Sequence, residues 1–241
     1  MRPAEPLQTL ARTCLRALVH HDATMLASVA LPHPGLATLL NNALNNAAPP
    51  ANRDAIFAEL DNLQMFTAPI FDDQQLLTVY FRGSLHLLIA TPTPDGTFRL
   101  DLRWWIAAAQ PRSEREETAR AYYYYLLTSN LEGLQALSID TRGLEMLCER
   151  QSPSGEHGQL EHVAQTMALV ELARGDSYPT PRGVEKVDER HAKAGLTVLL
   201  GLTPEGLMPF VMKQIDGKWK CSPANYIMAV VLARGGKITP A

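Results

Sequence analysis

Only three cysteines occur in the 241 residues, Cys14, Cys148 and Cys221, and no two stand in a C-x-x-C spacing. An odd, widely spaced set excludes a disulfide framework or a zinc knuckle and leaves buried or half-buried thiols as the expected state. Charge of one sign is equally scarce: 22 basic and 25 acidic residues give a formal net charge of −3. The basic stripe that marks a nucleic-acid binder is therefore missing. No apolar run approaches the roughly 18 to 20 residues that span a bilayer, and the opening "MRPAEPLQTLARTCLRALVHH" has no uninterrupted apolar stretch. A soluble, cytoplasmic chain with neither a membrane nor a nucleic-acid partner is expected. There is no G-x-x-x-x-G-K-[ST] and no G-x-G-x-x-G, so no phosphate cradle and no cofactor is predicted. The histidines (His20, His21, His33, His86, His157, His162, His191) form no H-E-x-x-H. His157 and His162 are five apart and do not stack on one helical face, so no metal site is predicted. "QSPSGEHG" (151–158) places a serine near a histidine without the G-x-S-x-G elbow, and reads as a loop.

What is present is a globular balance, 46% hydrophobic and 20% charged, and an internal repeat. "ARTCLRALVHHDATMLASVALPHPGL" from Ala11 aligns without gaps on "ARAYYYYLLTSNLEGLQALSIDTRGL" from Ala119, an offset of 119 − 11 = 108. Identical pairs are Ala11/Ala119, Arg12/Arg120, Leu18/Leu126, Leu26/Leu134, Gly35/Gly143 and Leu36/Leu144. "DGTFRLDLRWWI" from Asp95 aligns on "DGKWKCSPANYI" from Asp216 at an offset of 216 − 95 = 121, pairing Phe98/Trp219, Arg99/Lys220, Trp105/Tyr226 and Ile106/Ile227. The second copy is therefore 121 − 108 = 13 residues longer between the matches. The period is that of a whole domain. Two tandem domains, 1–110 and 111–241, are expected, with the boundary near "AAAQPRSEREE" at 107–117.

Each copy shows one order of elements. A first helix (Leu7 to His20; Glu114 to Leu127) ends at a polar turn where Asp22, or Ser129 with Asn130, can cap a short second helix. A third helix follows in "RDAIFAELDNLQMF" and "GQLEHVAQTMALVELAR". The period then changes to two: in "LLTVYFRGSLHLLIA" Leu77, Val79, Phe81, Leu85 and Leu87 form an apolar face opposite Thr78, Tyr80, Arg82, Ser84 and His86. Asp95-Gly96 and Asp216-Gly217 are hairpin turns. Trp104 and Trp105 are expected on adjacent strand positions facing opposite ways. The plan is α+β: helices first, then an antiparallel meander ending in an aromatic strand.

This order, with "LTSNLEGLQALSID" near the start of a unit and "DGKWKC" on its last hairpin, resembles the NTF2-like superfamily, and the resemblance covers each copy almost end to end. It implies two tandem cone-shaped α+β domains, each with N-terminal helices and a curved antiparallel sheet, forming a pseudo-dimer within one chain. The superfamily spans ketosteroid isomerases, dehydratases, cyclases, association domains and toxin-neutralising immunity proteins, so fold leaves function open. In the isomerases a first-helix tyrosine polarises the substrate oxygen and a carboxylate abstracts the proton. The resemblance puts that tyrosine at Tyr122 and the carboxylate position at Met146, with Cys14 and Thr38 in the first copy. A thioether is no general base, and Glu145 is rotated away by about 100° if its segment is helical.

Four adjacent tyrosines, Tyr122 to Tyr125, point in nearly every direction around a helix. They read as core plus interface, with a ligand pocket around Tyr122 and Tyr123 as the alternative. Tyr80, Arg82 and His86 with Asp101 and Arg103 on the last strand are candidates for a cone mouth that orients a small molecule. A solvated strand face is the alternative. "VEKVDERHAKAG" carries Glu185, Lys186, Asp188, Glu189, Arg190, His191 and Lys193, read either as a charged edge strand or as a rim that docks a protein. The expected function is non-catalytic protein binding, in its most specific form neutralisation of a toxin. The alternative is a small-molecule isomerase, dehydratase or cyclase, or a binder, using Tyr122 with Glu145 or His191 as base.

Overall fold

The computed structural model describes residues 4–46, 53–70, 73–81, 84–149, 157–203 and 206–234. The chain divides into two compact units, Met1–Gln110 with Pro204–Gly206, and Pro111–Thr203 with Leu207–Ala241. Eleven helices and antiparallel sheets make up the described residues, an α+β architecture.

The first unit opens with α1 (Glu5–His20), started by Pro6 in its first turn and Glu5 at the positive end of the helix dipole. It continues through α2 (Ala23–Val29), α3 (Leu36–Asn46) and α4 (Arg53–Asp61). A sheet follows in sequential antiparallel order: β1 (Gln64–Pro69), β2 (Gln75–Phe81), β3 (Ser84–Pro92) and β4 (Phe98–Asp101). α5 (Arg103–Ala108) closes the unit. The core joins Ala11, Cys14 and Leu15 of α1 to Leu77, Val79, Leu88 and Leu100 of the sheet, all nearly free of solvent. Each of these leucine and valine side chains contributes about 1.5–3 kcal/mol by leaving water.

The second unit has α6 (Glu114–Leu127), α7 (Leu131–Leu137), α8 (Glu145–Cys148) and α9 (His157–Thr166), then β5 (Ala168–Glu171). A two-stranded ribbon, β6 (Ser177–Thr180) and β7 (Gly183–Lys186), and a short helix α10 (Glu189–Lys193) come next. β8 (Leu196–Thr203), β9 (Gly206–Ile215) and β10 (Lys218–Cys221) complete a sheet of order β10-β9-β8-β5, and α11 (Ala224–Ala233) follows. α6 starts on a capping box, Ser113 accepting from the Glu116 N–H while the Glu116 carboxylate accepts from the Ser113 N–H.

The units share details at the two sequence offsets. The side chains of Asp22 and Asn130 accept from Met25 N–H at 2.8 Å and Gly133 N–H at 2.9 Å. The preceding residues, His21 and Ser129, both adopt left-handed backbone, φ 56° and 51°. A parallel bridge ties Ala30 to Leu100 in one unit and Ser138 to Cys221 in the other, with Leu31 N–H to Leu100 C=O and Ile139 N–H to Cys221 C=O both at 2.8 Å. Gly35 and Gly143 both lie against the isoleucine of the closing helix: a Cβ would clash with Ile106 Cγ2 at 2.6 Å in one and would sit at ordinary contact distance, 3.4 Å, from Ile227 Cδ1 in the other. The added length of the second unit lies between β5 and β8, where residues 172–195 replace the short link 70–74 and form the ribbon and α10.

Several expectations are corrected. The aromatic "last strand" is helix: Trp104 and Trp105 lie in α5 and Tyr226 and Ile227 in α11, because the strands end at Asp101 and Cys221. The third helices are shorter than expected. Gln64–Phe66 and Ala168–Glu171 are strands, since a short apolar run fits a half-buried strand as well as a helix end. The first unit also has α3 ahead of the expected third helix.

Candidate functional site

α6 distributes its four tyrosines as helical geometry requires. Tyr122 and Tyr123 are buried, while Tyr124 and Tyr125 are half-buried and pack against the same core. The Tyr122 ring lies 5.8 Å from that of Tyr226, and Tyr123 meets Phe210 edge-on at 6.5 Å. Tyr226 in turn donates to Pro209 C=O at 2.6 Å, as the aligned Trp105 donates to Leu87 C=O at 2.9 Å in the first unit. With Met212, Leu169 and Leu199, these rings occupy the space between α6 and the sheet. Among the described residues the Tyr122 hydroxyl accepts one contact, from Ser138 Oγ at 3.5 Å, the outer limit of a hydrogen bond. Burial pushes its phenol well above the ordinary range, so it is held neutral.

The alternative catalytic set does not share partners. Glu145 is exposed at the start of α8. His191 sits on α10 with Tyr178 and Asp188 as its neighbours. Tyr122 is held by Ser138, Tyr226 and the core.

The proposed cone mouth of the first unit is not assembled. The β2–β3 register pairs Val79 with His86 and Tyr80 with Leu85, so the parity changes from one strand to the next and His86 lies on the face of Val79. His86 packs between Phe81 and Trp105, with ring centroids at 6.1 and 5.8 Å. Tyr80 is exposed on the other face. Asp101 shares that face through Ile89 and Leu76, four residues along the strand from Tyr80, about 13 Å. Arg103 is not on a strand: it begins α5 and grips Asp101 through Nε and Nη2 at 2.9–3.1 Å. Nor is this face uniformly wet, since Leu76, Ile89 and Asp101 are buried. Arg82 lies outside the described residues. An open groove on the first unit, lined by Glu5, Pro6, Thr9, Leu10, Thr13 and Val29, contains none of the candidate residues.

The charged segment of the second unit is organised, though not as one strand. Glu185 and Lys186 end β7, whose residues are all exposed. Asp188 then caps α10, accepting from Arg190 N–H and His191 N–H, so Glu189, Arg190 and Lys193 are helical. The arginine Nε of Arg190 meets Asp188 at 2.7 Å, Arg174 meets Glu189 at 2.9 Å, and Lys193 lies 4.0 Å from Glu189. Arg190 and His191 hold the Asp188 carboxyl far below its usual range.

Beneath this surface is a chain of hydrogen bonds. Tyr178 donates to Glu185 Oε2 at 3.2 Å, and its oxygen lies 3.0 Å from His191 Nε2. His191 Nδ1 is 3.2 Å from Asp188 N–H and 3.0 Å from Asp188 Oδ1. A tyrosine, a histidine and an aspartate in line have the form of an activated nucleophile. The electrostatics oppose that use: burial first, then Glu185, push the Tyr178 phenol up to about 12. The buried hydroxyl instead fastens α10 to the ribbon. Sequence reading named His191, Glu185 and Asp188 but missed Tyr178; the available signal was the Asp188–His191 capping spacing beside a Pro-Arg-Gly turn.

Among the described residues no group of three or more His, Cys, Asp or Glu could hold a metal ion. No helix of the described residues is long and apolar enough to cross a membrane. Comparison with protein-family models, curated proteins and solved structures found no match to the chain.

Proposed function

We propose that the chain is a non-catalytic protein-binding module made of two tandem, duplicated NTF2-like domains, 1–110 and 111–241. The duplication is supported by the shared caps, bridges and glycine–isoleucine contacts at offsets of 108 and 121. The observation that carries the binding reading is the charged ribbon with α10, which stands between β5 and β8 where the first unit has only a short link. Its exposed charges steer and discriminate a protein partner. The filled interior around Tyr122 supports the absence of catalysis, because a substrate would have to displace buried rings. Toxin neutralisation in a cytoplasm is the most specific form of this function and rests on the family resemblance alone.

Affinity capture of the tagged chain from its native lysate, alongside a Tyr122→Phe form, tests the reading. A stoichiometric protein retained by both forms is expected. A small molecule that co-purifies only with the unmutated chain, with no protein retained, overturns it in favour of the isomerase-like or binder alternative.

A further inference from the structure

We infer that the open edge of β7 receives an extended, acidic segment of a protein partner as an added strand; this rests on the protein-binding reading and names the partner's chemistry. Among the described residues β7 has β6 as its single strand neighbour. Val187 N–H bonds Asp176 C=O at 2.9 Å, just past the Ser177–Lys186 pair. Alternation along an antiparallel ladder then turns the backbone groups of Glu185 toward β6 and those of Val184 and Lys186 toward the open side. Pro179, opposite Val184, has no N–H to offer, as a non-hydrogen-bonded pair allows. Among the described residues, two residues spaced by two therefore present unpaired backbone donors and acceptors, the pattern an incoming strand uses.

The side chains define the occupant. Val184 and Lys186 share one face of β7, Arg182 stands in the turn that opens it, and all three are exposed, Val184 by 47%. Among the described residues neither Arg182 nor Lys186 has an ion-pair partner. Asp188 is paired with Arg190 and Glu189 with Arg174, while Glu185 keeps its charge on the opposite face of the ribbon, where it accepts from the neutral Tyr178 phenol. The charge beside Val184 on its own face is positive and flanks that apolar residue. Its complement is a strand reading acid, any residue, apolar, any residue, acid. Lysine on an edge discourages indiscriminate apolar pairing, and the same charge selects an acidic strand. The Tyr178–His191 contact holds the ribbon in place before binding, which limits the ordering cost of a short added strand.

The test is fluorescence anisotropy of the full chain with a labelled peptide, Glu-Thr-Val-Thr-Glu-Thr-Val-Thr-Glu, against the same peptide with lysine for every glutamate. The acidic peptide is expected to bind at least about tenfold tighter at low salt, with the preference reversed in the Arg182→Glu/Lys186→Glu chain. N-methylation of the peptide backbone at alternate residues is expected to weaken binding about tenfold, and leaves the protein untouched. Equal binding of the two peptides, or indifference to both the charge reversal and the N-methylation, overturns strand addition. If that result comes with a lysate partner still held by the charge-reversed chain, the added strand is refuted and protein binding stands. If no partner is held by any form, both fail.

Discussion

Replacing Tyr122 by phenylalanine or by alanine separates the work of its ring from that of its hydroxyl. The ring is fully buried against Tyr226 and the core of the second unit. Truncation to alanine removes that packing and opens a cavity, a loss of about 3–5 kcal/mol for a large aromatic side chain. The hydroxyl, by contrast, meets Ser138 Oγ alone among the described residues, at 3.5 Å. A contact at that limit contributes at most about 1 kcal/mol, and its removal also ends the burial of a polar group. Tyr122→Phe is therefore expected to unfold within about 1 kcal/mol of the natural chain, and Tyr122→Ala far below it. Urea denaturation followed by circular dichroism measures both. If the phenylalanine form is as unstable as the alanine form, the hydroxyl has a strong partner that this arrangement does not contain, and the reading of Tyr122 as core is refuted.

Gly133 faces the Tyr125 ring so closely that a Cβ would fall 2.5–2.7 Å from three ring atoms. Gly133→Ala gains about 1 kcal/mol of helix propensity and loses about 1–3 kcal/mol to overpacking. Net destabilisation is expected, and its disappearance in a Tyr125→Ala background should be seen in a double-mutant cycle. Tyr178→Phe removes the link between α10 and the ribbon at a cost of about 1 kcal/mol, and should speed amide exchange in residues 177–193 without changing the first unit. Burial holds the His86 imidazole below its ordinary 6.5, outweighing a hydrogen bond with the Phe81 backbone. The unfolded chain then binds the proton that the folded chain refuses, so this stability is complete above pH 6.5 and declines as pH falls below it. The decline should appear in the thermal midpoint between pH 7.5 and 5.5 and shrink in His86→Leu; an unchanged slope contradicts the assignment. Arg142 draws the Asp140 carboxyl down to about 2, so Asp140→Asn should flatten the acid dependence of stability between about pH 4 and 2.

The helical half of each unit was legible because its signals are local. Asp22 and Asn130 cap the helices that their side chains predict, and residues identical between the copies, such as Ala11 and Ala119 or Leu26 and Leu134, are buried in their cores. What was misread depended on pairing across the chain. Period two in 76–90 was read across two strands, although each strand keeps its own parity, so His86 was assigned to the wrong face. Trp104, Trp105 and Tyr226 have strand-favouring side chains yet lie in closing helices, where contacts with the preceding strands outweigh propensity. Tyr178 carried no signal of its own: its importance comes from the fold that brings Glu185 and His191 to one hydroxyl.

The central claim is that the second unit works through its ribbon and not through its tyrosine core. The direct measurement is quantitative capture from native lysate by three full-length chains: unaltered, Tyr122→Phe, and Arg182→Glu/Lys186→Glu. The account predicts one stoichiometric protein held equally by the first two and lost from the third. Loss from the Tyr122→Phe chain with full retention by the charge-reversed chain contradicts it.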